Sequence, residues 1–172
     1  MKGLQQLRKE LAERGYGERL LTGEPLSRHT SFAIGGPADL LISAREPGEL
    51  CELVELARAS GVPALVIGGG TNILVADGGV RGLVIVNECR GYTIDQYGML
   101  AAQSGALTGK LARMTCAHAW KGLEWATDIP GTVGGAAVGN AGAYGGCMAD
   151  VVRWVTLLKP DGTVSQVGVD GL

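Results

Sequence analysis

Residues Leu65–Gly79 read LVIGGGTNILVADGG: an apolar run, three glycines, Thr and Asn, a second apolar run, and a turn at Asp77-Gly78-Gly79. Short apolar runs bounded by glycine are the pattern of buried strands. The stretch therefore predicts strands at Ala64–Ile67 and Ile73–Ala76, with a further strand at Leu83–Val86. Between the first two lies the informative segment. Glycine permits positive φ and lets backbone N–H groups approach a ligand with no Cβ in the way. Successive N–H groups aimed into one concavity form an anion nest suited to a pyrophosphate. Gly68, Gly69, Gly70, Thr71 and Asn72 have that composition. No Lys follows the glycines, so this is not a Walker loop. It leads into an apolar run and a Gly-Gly turn rather than into a helix, so it is not a Rossmann fingerprint, and the spacing of Glu88 from it carries no weight. A tight turn with no ligand is the competing reading.

A second small-residue run decides between the two. Ile129-Pro130-Gly131-Thr132-Val133-Gly134-Gly135-Ala136 is followed by Gly139-Asn140-Ala141-Gly142-Ala143-Tyr144-Gly145-Gly146. Such residues bury little apolar area and lose much backbone entropy on folding, so a core made from them alone is poor. A flat, extended ligand such as a dinucleotide would supply the missing contact surface, and exposed amides would satisfy its phosphates and ring heteroatoms. On this reading the two runs close on one cofactor from two lobes.

Working outward, residues 1–14 form an amphipathic pattern ending at Gly15. Leu50, Leu53, Val54 and Ala57 keep helical spacing after Pro47, and Gly61 with Pro63 stops the pattern. Turn glycines precede the apolar run Leu40-Leu41-Ile42. Tyr92–Ile94 and Met99–Gln103 predict a hairpin opening a second lobe, with the boundary near Asn87–Gly91, giving lobes 1–88 and 89–172. Leu107, Leu111 and Met114 mark a third helix ended by Gly122, and Leu123–Gly146 reads as loop. Val151–Leu158 and Thr163–Val167 flank a hairpin turn at Pro160-Asp161-Gly162. Strands interleaved with few helices predict an α+β fold. The chain stops at Gly171-Leu172, just past that hairpin, which reads as a fragment with the second lobe incomplete.

Composition excludes several classes. At 172 residues, 46% hydrophobic and 19% charged, the chain can bury a core of its own. A net charge of -2 gives no general attraction for nucleic acid. The charged N-terminus is no signal peptide, and the uncharged stretch Ile129–Ala149 is too rich in glycine for a membrane helix, so the expectation is a cytoplasmic protein with no membrane partner. Cys51, Cys89, Cys116 and Cys147 lack metal or disulfide spacing and read as buried free thiols. His29 and His118 do not make a metal pair, and no metal site is assigned. Glu124 with Asp128 lacks the setting of a glycosidase pair. Trp120, Trp125 and Trp154 read as core or lobe-interface residues.

Taken together, HTSFAIGGPADLL (His29–Leu41), LVIGGGTNILVADGGVRGLVI (Leu65–Ile85) and GLEWATDIPGTVGGAAVGNAGAYGG (Gly122–Gly146) resemble, in order and spacing, the UDP-N-acetylenolpyruvoylglucosamine reductases. The resemblance runs from about Leu26 onward and is most specific in the third motif. It implies an α+β, two-lobed FAD-binding fold of the vanillyl-alcohol-oxidase (PCMH) type. In that family NADPH reduces FAD, which reduces UDP-N-acetylglucosamine enolpyruvate to UDP-N-acetylmuramate in peptidoglycan precursor synthesis. It also implies cofactor contacts from Ile67, Gly68, Gly69, Gly70, Thr71, Asn72, Ile73 and Leu74 at the pyrophosphate. Ile129, Pro130, Gly131, Thr132, Val133, Gly134, Gly135, Asn140, Ala141, Gly142 and Ala143 would line the flavin and its linker, with Tyr144 facing substrate, a packing role for its ring being the alternative.

The family's proton donor belongs to a later S-x-F-K-N-P-like segment that residues 1–172 do not contain. No catalytic residue is therefore assigned, and the C-terminal substrate domain is expected to be absent. Two alternatives stay open: another flavoprotein oxidoreductase of the same fold, which a flavin-linking histidine beside the glycine loops would favour and which finds none there in sequence, and a non-catalytic flavin- or nucleotide-binding module.

Overall fold

The computed structural model describes residues 2–168, and the chain divides after Arg90 into two compact units. The expectation drawn from Gly171-Leu172 lies outside the described residues. In the first unit, α1 (Lys2–Glu13) leads through a 3-10 turn at Gly17–Arg19 to β1 (Leu21–Pro25), and a second 3-10 turn at Leu26–Arg28 precedes β2 (Pro37–Ala44). Then come α2 (Pro47–Ala59), β3 (Ala64–Ile67) and β4 (Val80–Asn87). Pro47 stands in the first turn of α2, where its missing N–H costs no hydrogen bond.

The four strands form one sheet in the order β1-β2-β4-β3, antiparallel between β1 and β2 and parallel elsewhere, with Leu40 opposite Leu83 and Val66 opposite Ile85. Side chains alternate across the central strands. Leu40, Ile42, Leu83 and Ile85 pack with Leu7 and Leu11 of α1 and Leu53 and Leu56 of α2. Leu41 and Val84 turn the other way, onto Leu26, Ile67, Ile73 and Val75. Both faces are thus covered, one by helices and the other by irregular chain.

The second face corrects one expectation. Ile73–Ala76 is not a strand. Neighbouring parallel strands need a crossover of about a dozen residues, and residues 68–79 serve as that crossover between β3 and β4. β4 is already paired on both edges, so Ile73 and Val75 satisfy their apolar character by packing alone. The crossover is held by the β1–β2 connection: Ser31 N–H donates to Gly70 O (2.9 Å) and Gly36 N–H to Ala76 O (3.0 Å).

The second unit opens with the hairpin β5 (Tyr92–Ile94) and β6 (Leu100–Ala102), followed by α3 (Thr108–Ala117) and a 3-10 turn at Glu124–Ala126. Next are α4 (Val133–Val138), the small ladder β7 (Gly142–Ala143) with β8 (Gly146–Cys147), α5 (Met148–Val151), and the hairpin β9 (Trp154–Leu158) with β10 (Val164–Gly168). Its core is Ala112, Trp125, Ala126, Ala136 and Met148. Helix α3 ends at Ala117, earlier than Gly122, with Ala119 at φ +57° reversing the chain. Leu123–Gly146 is not simply loop, because α4 forms within it. Of the cysteines only Cys89 is buried, and burial, reinforced by Glu46 and Glu49, pushes its thiol up to about 11; Cys116 is exposed. No helix among the described residues is long and apolar enough to cross a membrane.

Candidate cofactor site

The glycine crossover leaves the C-terminal end of β3, the position where open α/β sheets bind ligands. There Gly68 and Gly69 line a cleft of about 270 Å³ with Arg28, His29, Thr30, Ser31, Val86 and Arg90. Among the described residues the N–H groups of Gly68, Gly69 and Gly70 donate to no backbone acceptor. Two guanidinium groups, the Ser31 hydroxyl and unengaged amides on one concavity are the donor set an anion requires, the Thr30 hydroxyl donating instead to Ile34 O at 2.9 Å. The volume is below the roughly 300–1,000 Å³ of sites that enclose a whole drug-sized ligand. It matches the charged middle of a dinucleotide rather than the entire molecule.

Why glycine stands at Gly70 is a separate matter. Its φ is +62°, and a Cβ there would overlap the His29 carbonyl oxygen and press on Thr30. The third glycine is therefore required by a crossing of backbone on backbone, and the pair that lines the cleft is Gly68 and Gly69. Sequence reading missed Arg28, Thr30, Ser31 and Arg90 entirely. The HTSF motif was legible, but nothing in it says that residues 40 positions away in the chain fold against it. His29 also lines the cleft, its Nε2–H donating to Glu24 Oε1 at 3.1 Å.

The second run behaves differently. Val133 N–H donates to Ala106 O (2.8 Å), Gly134 N–H to Ser104 O (2.7 Å), Asn140 N–H to Ala137 O (3.2 Å) and Ala141 N–H to Ala136 O (2.8 Å). Gly135 N–H reaches the Thr132 Oγ1 that caps α4, at 3.4 Å. The expectation of bare amides fails at these positions. The deficit reading is also answered in part by the protein itself: a Cβ at Gly134 would lie 2.8 Å from Ser104 Cβ, one at Gly142 2.8 Å from Gly146 O, and one at Gly146 2.6 Å from the Trp125 ring. Asn140, at φ +41°, spends its side-chain oxygen on Ala149 N–H.

Tyr144 is 87% exposed at φ +52° beside a hollow of about 410 Å³ lined by Glu124, Trp125, Gly145 and Gly146. Glu124 is no acid there. Its own N–H and that of Gly122, 2.7 Å away, hold its carboxyl below the usual carboxylate range, so it caps the turn as an anion. Ile67 through Leu74 belong to the first unit and Ile129 through Tyr144 to the second.

The chain belongs to the FAD binding domain family, whose model matches residues 38–168. Within that class it is similar to the UDP-N-acetylenolpyruvoylglucosamine reductase of Rubrobacter xylanophilus, 50% identical over 151 residues that are 87% of this chain and 50% of the relative. It spans about half the length of the curated relatives it matches. Among solved structures, UDP-N-acetylenolpyruvylglucosamine reductase from Thermus caldophilus superposes with a TM-score of 0.68 at 30% identity, over 86% of this chain and 52% of that one. An alkyldihydroxyacetonephosphate synthase superposes equally well (TM-score 0.68) at 18% identity, over 95% of this chain and 34% of that one, a likeness of fold alone. The α+β FAD-binding fold of the vanillyl-alcohol-oxidase type expected from the motifs is therefore the fold observed.

Proposed function

We propose that this chain is the FAD-binding part of a UDP-N-acetylenolpyruvoylglucosamine reductase, using NADPH as reductant and acting in the cytoplasm in peptidoglycan precursor synthesis. What carries the reading is the donor set at the end of β3, in a chain whose family binds FAD. Arg28 and Arg90 would hold the diphosphate by charge, Ser31 by hydroxyl donation, and Gly68 and Gly69 by their amides. Thr71, Asn72, Ile73 and Leu74 follow along the same loop. In the second unit, Ile129–Gly135 and Asn140–Ala143 would offer the flavin a surface of small side chains and carbonyls rather than of free amides, with Tyr144 toward substrate. When bound, FAD would supply the hydride chemistry that links NADPH to the enolpyruvyl double bond. The chain's own task is to bind and orient. No residue of the chain is assigned proton transfer, and no metal is invoked.

The test is spectroscopic. The purified chain should retain or take up FAD, giving a visible flavin band and quenched flavin fluorescence, and ADP should compete because it carries the same diphosphate. Folded protein that binds neither FAD nor ADP would overturn the reading.

A further inference from the structure

We propose that Glu24 is the positioning residue of the diphosphate cleft, acting through His29. The inference rests on the FAD reading above. Glu24 sits on β1 with its side chain only 15% exposed, close to a cleft built for an anion. A carboxylate there opposes a diphosphate electrostatically unless it serves another purpose. Both of its oxygens are engaged: Oε1 accepts from His29 Nε2–H at 3.1 Å, and Oε2 pairs with Arg28 Nη1 at 3.5 Å. A carboxylate only accepts, so this contact also fixes which imidazole nitrogen carries the proton.

His29 in turn sets the backbone. Its carbonyl lies against Gly70 so closely that no Cβ fits, and Ser31 N–H donates to Gly70 O at 2.9 Å. Thr30 Oγ1 donates to Ile34 O at 2.9 Å, closing a turn in which Ala33 takes φ +54°. The segment 28–31 is therefore one wall of the cleft and the glycine crossover the other. Only the 3-10 turn at Leu26–Arg28 enters that wall, and the Glu24–His29 contact ties its side chains to β1. Glu24 touches no ligand itself.

The experiment measures dissociation constants of the 172-residue chain for FAD, ADP and riboflavin in Glu24→Ala, Glu24→Gln, Glu24→Asp and His29→Asn. Circular dichroism of the ligand-free proteins serves as the fold check. Glu24→Ala should weaken FAD and ADP alike by about tenfold. Glu24→Gln, which keeps an acceptor for Nε2–H and removes the opposing charge, should bind at least as well as wild type. Glu24→Asp keeps the charge but falls a methylene short, and should resemble Glu24→Ala. Riboflavin, with no diphosphate, should be unaffected throughout. The ¹⁵N signature of a protonated Nε2 at His29 should be lost in Glu24→Ala and kept in Glu24→Gln. If Glu24→Ala does not fold, Glu24→Asp and His29→Asn carry the comparison. Wild type that binds FAD together with a folded Glu24→Ala or Glu24→Asp of unchanged ADP affinity would sink this inference alone. A Glu24→Gln as weak as Glu24→Ala would also sink it, by showing that charge matters and position does not. A wild type that binds neither FAD nor ADP would sink the FAD reading with it.

Discussion

At Gly70 the backbone holds φ +62° with the His29 carbonyl packed where a Cβ would stand, whereas Gly48, in the first turn of α2, has open space around it. The two glycines should respond oppositely to alanine. Gly70→Ala combines a left-handed conformation with a backbone collision, and should cost at least the ~1–3 kcal/mol of such strain. Gly48→Ala relieves the unfolded chain of entropy at no steric cost, and should stabilise by ~0.4–1 kcal/mol. Urea unfolding of both variants checks the pair; a neutral Gly70→Ala would mean that residues 29–30 do not cross the loop as described. The sequence announced that Gly70 must be glycine but not the reason, because the atom that excludes a side chain belongs to a residue 41 positions earlier.

Among the elements, α2 is clamped to the segment that follows α1. Arg19 pairs with Glu49, and Arg14 and Tyr16 both donate to Glu52 at 2.7 Å. Hydrogen bonds from Tyr16 and Arg14 hold the Glu52 carboxyl below its usual range. At Glu49 burial pushes upward, but Arg19 and the Arg45 N–H outweigh it, so its carboxyl too lies low. A depressed carboxylate stabilises the fold above its unfolded value of 4.5 and loses that contribution as pH falls through the folded value. Stability of the chain should therefore fall below about pH 4.5, and Glu49→Gln should lose less over that range, as read from urea midpoints against pH. Tyr16 works at the other end. Desolvation, then Glu52, raises its hydroxyl to about 12, so its contribution is intact below 10 and lost as pH climbs from 10 toward 12.

The strands differ in the same way. β4 is paired on both edges and buried, while among the described residues β9 and β10 pair only with each other and leave Trp154 and Val164 42% and 56% exposed. An isolated two-stranded hairpin is marginal in water. Amides of Leu83–Ile85 should exchange with solvent at the rate of global unfolding and those of Trp154–Leu158 far faster, by mass-spectrometric hydrogen exchange. Element by element, periodicity found α1, α2, β3 and β4. It made a strand of Ile73–Ala76, because a short continuous apolar run looks alike whether it joins a ladder or only packs. It passed over α4, whose sequence VGGAAV has poor helix propensity and is held by the Thr132 cap, by Ala136 in the core and by the close contact of Gly134 with Ser104.

For the molecule as a whole, the first unit has two clusters of Leu, Ile and Val around one sheet, and the second a core dominated by alanine, one Trp and one Met. The smaller apolar burial makes the second unit the weaker. All three tryptophans, Trp120, Trp125 and Trp154, belong to it. On heating, tryptophan fluorescence should report a transition at lower temperature than far-UV circular dichroism, and saturating FAD should raise the midpoints, by about 2.7 kcal/mol of added stability at a hundredfold excess over Kd. Coincident transitions would mean that the two units unfold together. The sequence by itself determined the α+β class, the places of the glycine runs and the family they mark, because these depend on local pattern and on spacing along the chain. Only the tertiary structure decided which glycines serve the fold, which amides remain for a ligand, and that Glu24, Arg28, His29 and Arg90 gather at the end of β3. Those facts depend on which distant backbone lies against which, and periodicity along the chain carries no record of that.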